Sequence, residues 1–199
     1  MIPSLYDSFK HWSNNGSVYI ISDTHFEDGD CKYMDAEWPD PQTHINNIKK
    51  YVHKNDTLIH LGDVGNPEWM KQIKAHKVLI MGNHDAGAMN YGKSTIITHN
   101  GNKIDITYFD EIYTGPLFIA EKILLSHEPI INGSAWFNIH GHDHNKNHTW
   151  SYNEINLASN VVRFDIFNLG KAIKLGMLKH VDGVHRLTID GASNKYAKI

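Results

Sequence analysis

Residues 17–25, SVYIISDTH, decide how the rest of the chain is read. A short apolar run without polar alternation, broken sharply by Asp23, Thr24 and His25, is the pattern of a strand covered on both faces. The arrangement recurs twice. Residues 57–61, TLIHL, run into Gly62-Asp63, and residues 77–81, KVLIM, run into Gly82-Asn83-His84-Asp85. Between the first two runs, Ile45, Ile48 and Val52 fall at helical spacing over residues 42–53. Between the second pair, Pro67 stands where a helix can begin, with Trp69, Met70 and Ile73 on one face. Strand, helix, strand, helix, strand predicts an α/β domain with crossover helices.

Outward from this frame the pattern loosens. Residues 1–15 have the spacing of a short docked helix, and residues 26–41, rich in Gly, Pro and Asp, read as a loop. The second half offers strands at 95–98, 103–109, 118–119, 122–126, 135–139 and 161–166. A helix is expected over 172–178 and a polar tail from 190. No repeat or linker divides the chain, so a single domain over 1–199 is expected.

Composition narrows the classes. Lys plus Arg number 19 and Asp plus Glu 22, a net charge of -3, which argues against nucleic acid or an anionic membrane as a partner held by bulk charge. The single cysteine, Cys31, allows no intrachain disulfide and fits a reducing compartment. No basic start followed by an apolar run opens the chain, and no stretch approaches the roughly 20 apolar residues of a membrane span. A cytoplasmic protein, monomer or homodimer, is expected.

Chemistry-bearing residues collect at the strand ends. Asp23 and His25 follow the first run, Asp63 the second, Asn83 and His84 the third. His127 follows 122–126, while His142 and His144 follow 135–139. Open α/β sheets bind ligands beyond the carboxyl ends of their strands, so five strand ends would deliver oxygen and nitrogen donors to one rim. Taken singly, each has an ordinary explanation as a turn or surface residue, and Asn83 as a helix cap. If His142 and His144 lie on extended backbone, they point the same way. His60 reads as a packing residue and His140 as a support. His11, His44, His53, His76, His99 and His148 read as surface rings.

Five blocks, Asp23-Thr24-His25, Gly62-Asp63, Gly82-Asn83-His84-Asp85, His127 and Gly141-His142-Asp143-His144, resemble in order those of the calcineurin-like metallophosphoesterases. Residues 126–129, SHEP, and 160–168, NVVRFDIFN, resemble small bacterial and phage-type members. The resemblance implies a two-sheet β-sandwich flanked by helices, a four-layer α/β/β/α fold. It implies two metal ions, with Asp63 as the bridge. Asp23, His25 and His144 would complete one site, and Asn83, His127 and His142 the other. Mixed N and O donors favour manganese, with Fe, Zn, Ni, Co or Mg as the other candidates. His84 would face the substrate and help protonate the leaving oxygen or stabilise charge on the phosphoryl group, with Asp85 orienting its ring. Hydrolysis would proceed by in-line attack on phosphorus of a hydroxide held between metals about 3.5–4 Å apart. The substrate is expected to be a small phosphodiester or phosphomonoester.

One departure stands out. Phe26-Glu27-Asp28 follows the first block where many small relatives carry Gly-His. Arg163, one of two arginines in the chain, could reach an anionic substrate or serve a structural pair. Two other classes compete with this reading. A metal-binding interaction protein without catalysis would not need the His84-Asp85 pair. An amidohydrolase would carry a His-x-His near its first strand, which is absent.

Overall fold

The run at 17–22 folds as strand β1, Val18–Ile21, and all four of its residues are buried. The computed structural model describes residues 16–85, 92–97, 103–119, 122–130, 136–149, 151–179 and 181. The helix expected in 1–15 and the tail from 190 lie outside them. β1 pairs in parallel with β2, Thr57–His60, which pairs in parallel with β3, His76–Ile80. The register sets Ile21 beside His60 and His60 beside Leu79, so the three strands end level with one another.

Two short helices and a 3-10 turn serve this sheet. Helix α1, Cys31–Met34, lies in the stretch read as a loop. Helix α2, Pro41–Lys49, starts at Pro41 because Asp40 accepts the Thr43 N–H and proline needs no donor at that position. It stops short of the expected 53. The stretch opened by Pro67 is a 3-10 helix, Pro67–Gln72, capped by the Asn66 side chain.

Eight further strands complete two sheets: β4 (Gly92–Ile97), β5 (Lys103–Thr107), β6 (Glu111–Tyr113), β7 (Leu117–Ile119), β8 (Ile123–Leu125), β9 (Phe137–His140), β10 (Glu154–Asn156) and β11 (Phe167–Asn168). The larger sheet has seven strands in the order β11-β1-β2-β3-β6-β4-β5, and the smaller has four in the order β10-β9-β8-β7. β8, β9 and β10 run parallel, with β7 antiparallel at the edge. The last described helix, α3, spans Leu169–Lys174.

The core explains the uninterrupted apolar runs. Val18, Ile20, Ile59, Leu61, Val78 and Ile80 face the second sheet, where Ile123, Leu125, Phe137 and Ile139 meet them. The alternate residues Tyr19, Ile21, Leu58 and Leu79 face outward onto Ile45 and Ile48 of α2 and Met70 of the 3-10 helix. Both faces of the central strands are therefore covered, and neither can be polar. The result is two mixed sheets packed face to face and flanked by helices, the α/β/β/α sandwich.

Residues 161–166 are not a strand. The Val161 and Val162 N–H groups donate to Ala158 O, and Phe164 N–H donates to Ser159 O at 2.6 Å. Arg163 and Phe164 have φ of 54° and 59°, which a strand cannot accommodate. The apolar pair Val161-Val162 suggested a strand that the turn at Arg163-Phe164 prevents. The short strands β6 and β10 had no clear signal. The helix expected at 172–178 starts at Leu169, where Asn168 accepts the Lys171 N–H. The chain turns out of it at Gly176, φ 66°. Among the described residues, no helix is long and apolar enough to cross a membrane.

Candidate metal centre

Level strand ends deliver their following residues to one rim. Asp23 N–H donates to Gly62 O at 2.9 Å and His25 N–H to Asp63 O at 3.0 Å, which ties the segment after β1 to the segment after β2. Within the second sheet Gly141 N–H donates to His127 O at 2.9 Å, and His142 N–H, 3.0 Å from Asp23 Oδ2, joins that sheet to the first. Asp23, His25, Asp63 and His142 all have left-handed backbone, with φ of 53°, 42°, 55° and 67°. Such residues cost about 1–3 kcal/mol each and persist where their surroundings over-determine them. Here that conformation aims four side chains into one space. Two glycines allow the segments to meet: a Cβ at Gly82 would overlap Asp63 Oδ1, and one at Gly141 would overlap Ser22 Oγ and Asp23 Oδ2.

Two groups of donors result. Asp23, His25 and His144 form one, and Asp63, His127 and His142 the other, with the ligand atoms of each within 4.8 Å of one another. Asn83 joins the second, its Oδ1 2.8 Å from His127 Nε2 and 3.1 Å from His142 Nδ1. Asp63 Oδ2 lies between the groups, 3.3 Å from His127 Nε2 and 3.7 Å from His25 Nε2. His144 Nε2 is 3.6 Å from Asp23 Oδ1. All seven residues singled out in the sequence as ligand candidates are thus brought together.

Hydrogen bonds at the far ring nitrogens fix which nitrogen faces the centre. His127 Nδ1 is 2.9 Å from Leu61 O, a carbonyl that can only accept. His25 Nδ1 is 3.1 Å from Asp28 Oδ2, and His144 Nδ1 is 2.9 Å from Asn160 Oδ1. Each Nδ1 therefore carries the proton, and each neutral ring presents a bare Nε2 inward. His25 Nε2 is buried with no hydrogen-bond partner. His127 Nε2, Asn83 Oδ1 and Asp63 Oδ2 crowd together as acceptors, with His142 Nδ1 3.2 Å from His127 Nε2, an arrangement that calls for a cation among them. The donor set and the orphaned nitrogen fit a metal pair.

The electrostatics show the same groups drawing a positive charge among them, which a proton on His127 supplies where no metal does. Burial works to raise the Asp63 carboxyl, but the His127 hydrogen bond and charge, the His84 N–H and His25 outweigh it and hold it at about 2. Burial pushes the Asp23 carboxyl up, against the opposing pull of His127, Ser22, His142 and His144. Burial lowers His127, yet its contacts with Asp63 and Asp23 leave it raised. A buried carboxylate such as Asp23 is stabilised most directly by a neighbouring cation.

His84 lies beside the groups rather than within them. It is exposed, its ring centroid is 5.3 Å from that of His25, and its N–H donates to Asp63 Oδ1 at 2.9 Å. That bond leaves Oδ2 to face both groups. Asp85, expected from sequence to orient the His84 ring, holds backbone. Its oxygens accept the N–H groups of Asp63 at 2.8 Å, Val64 at 3.1 Å and Gly82 at 2.9 Å. A carboxylate with both oxygens so engaged is a clamp on the two loops.

Other histidines sort differently. His60 is buried, bonded to Thr24 Oγ1 and accepting the Gly62 N–H, and His140 is buried against Gly141 O. His44, expected at the surface, is buried between Phe26 and Phe164, because α2 turns it inward with Ile45 and Ile48. Glu27 is exposed and takes the Asn66 side-chain N–H. Sequence reasoning missed Asn160, which also donates from Nδ2 to His144 O at 2.9 Å, while Trp38, which the sequence offers as a residue of packing or of base stacking, sets its ring against those of His25 and His144. Nothing local marks Asn160 as part of a site.

A family model described as calcineurin-like phosphoesterase matches residues 16–174. The crystal structure of a protein of unknown function, AQ665 from Aquifex aeolicus, resembles this one with a TM-score of 0.58. It is 24% identical, over 81% of this chain and 100% of that one, a likeness of fold. No curated protein matches. The family match runs from the residues before β1 to the end of α3 and takes in both donor groups, and the chain belongs to the calcineurin-like phosphoesterases.

Proposed function

We propose that the chain hydrolyses a phosphate ester of small size, a monoester or a diester, with two metal ions, manganese first among them. The observation that carries this reading is the place of Asp63 Oδ2, between His25 Nε2 and His127 Nε2 at 3.7 and 3.3 Å. One carboxylate oxygen within reach of two donor groups is what a bridged pair needs. Asp23, His25 and His144 would hold one ion and Asn83, His127 and His142 the other, with Asp63 shared. When bound, the ions supply an activated water for in-line displacement and offset the charge that develops at phosphorus.

The protein's own groups do the rest. Asp85 fixes the loops after β2 and β3 through three N–H groups, so Asp63 and Asn83 keep their mutual position. His84, exposed at the edge of the groups, would protonate the leaving alkoxide or stabilise charge on the phosphoryl group. Leu61 O, Asp28 and Asn160 keep three rings in the tautomer that binds metal. The test is turnover of p-nitrophenyl phosphate and of bis(p-nitrophenyl) phosphate by protein stripped with chelator and reconstituted with Mn, Fe, Zn, Ni, Co or Mg. Activity restored by metal is expected, with His84→Asn lowering kcat about 100-fold or more. Absence of turnover with every metal would overturn the reading.

A further inference from the structure

A cleft of about 740 Å³ opens beside the His144 side of the centre. It adjoins the centre through Asn160, which lines it and holds His144 at two points, and through Phe164. The Phe164 ring is 5.3 Å from Trp38, which is 5.9 Å from His144. A phosphoryl group alone needs a small fraction of that volume, whereas cavities of about 300–1,000 Å³ hold organic ligands. The lining is mostly polar. Asp35, Glu37, Lys146, Asn160 and Arg163 dominate it, with Glu37 exposed, which suits a hydroxylated or charged body better than an aryl or lipid one.

The two cations in the cleft differ. Lys146 Nζ is paired with Asp35 Oδ2 at 2.6 Å, so its charge is spent within the protein. Arg163 is exposed, and its guanidinium has no hydrogen bond or ion pair among the described residues. The turn that presents it has two consecutive non-glycine residues in the left-handed region, Arg163 and Phe164. Their geometry sends Phe164 inward onto Trp38 and His44 while Arg163 borders the cleft. Strain of this kind gathers at sites that hold ligands, and a guanidinium matches the paired oxygens of phosphate or carboxylate.

We infer that this cleft is a substrate subsite in which Arg163 binds a second anionic group, so that the preferred substrate is a polar phosphate ester carrying another phosphate or carboxylate. This rests on the phosphoesterase reading and narrows it. An exposed arginine in a turn, with no ligand of its own, is the ordinary explanation that the experiment must beat.

Equilibrium binding by calorimetry separates the two. The protein is metal-loaded and carries His84→Asn to slow hydrolysis. The probes are glucose 6-phosphate and glucose 1,6-bisphosphate, which share a body and differ by one anion. The bisphosphate is expected to bind about tenfold or more tightly. Arg163→Met should bring its affinity down to that of the monophosphate, with Arg163→Lys between. Equal affinities for the two probes, a preference that survives Arg163→Met, or no binding of either would each overturn the subsite. Metal-dependent hydrolysis of p-nitrophenyl phosphate by the wild-type protein, measured in parallel, reports on the phosphoesterase reading by itself. Turnover there without the bisphosphate preference removes the subsite and leaves the activity standing.

Discussion

Asp28 Oδ2 accepts the Nδ1 proton of His25 at 3.1 Å, and its other oxygen is held by the Asp30 N–H at 2.9 Å. The Asp30 N–H holds the Asp28 carboxyl below its ordinary value, against partial burial, with His25 adding to the effect. The carboxylate thus backs a histidine whose other nitrogen faces the centre, an arrangement that fixes ring orientation and strengthens the ligand. Asp28→Ala should weaken metal binding about 10- to 100-fold, read by competition with a chelator, while the metal-free protein unfolds at nearly the wild-type temperature. Asp28→Asn keeps an acceptor without the charge and should fall between. Unchanged metal affinity in the alanine variant would remove this role.

Gly141 packs against Ser22 Oγ and Asp23 Oδ2 so closely that a Cβ would overlap both. Gly141→Ala must push the His142 segment away from β1. A loss of about 1–3 kcal/mol in stability is expected, measured by urea unfolding, together with weakened metal binding. At Gly29, by contrast, a Cβ meets nothing within 4 Å, and the alanine variant there should behave as wild type.

Burial pulls His44 down to about 4 and His60 to about 3. Both therefore fold as neutral rings, and the unfolded chain binds their protons more readily. Their contribution to stability is complete above the unfolded value of roughly 6.5 and is lost as pH falls towards 4 and below. For His44 the full loss is on the order of 3 kcal/mol. Urea midpoints of the metal-free protein at pH 7 and pH 4.5 should differ, and His44→Leu should reduce that difference. An identical pH dependence in wild type and variant would contradict the assignment.

Asp85 gathers three backbone N–H groups from two loops. Asp85→Ala would leave buried donors without a partner, at about 1–3 kcal/mol for each group stranded. A marked fall in stability is expected together with loss of metal binding. Were Asp85 mainly a ring-orienting partner of His84, kcat would drop with stability and metal content retained.

Much of this site was legible before the fold. The central strands are covered on both faces, so their sequences are unbroken apolar runs, and each run stops where a ligand candidate begins. That made Asp23, Asp63 and Asn83 visible as strand-end residues, and the ordered blocks assembled them with His127, His142 and His144. The supporting residues were not legible. Asn160 and Asp28 act through a single hydrogen bond to a ring that lies 16 positions away in one case and three in the other. No local pattern encodes such a bond. Residues 161–166 misled because an apolar pair looks alike in a strand and in a turn, and only the left-handed backbone at Arg163 and Phe164 tells them apart. The backbone bonds of Asp85 were hidden as well, because the Asp63 and Val64 N–H groups that it holds lie about twenty residues back.

The central claim is that Asp63 joins two metal ions in one centre. Metal content per chain after reconstitution and removal of excess ion, in wild type and Asp63→Asn, tests it most directly. Two equivalents in the wild type are expected, with the variant losing at least one and its turnover of p-nitrophenyl phosphate falling by about 100-fold or more. A wild-type protein that holds fewer than two, or a variant that keeps both ions and full turnover, would contradict it.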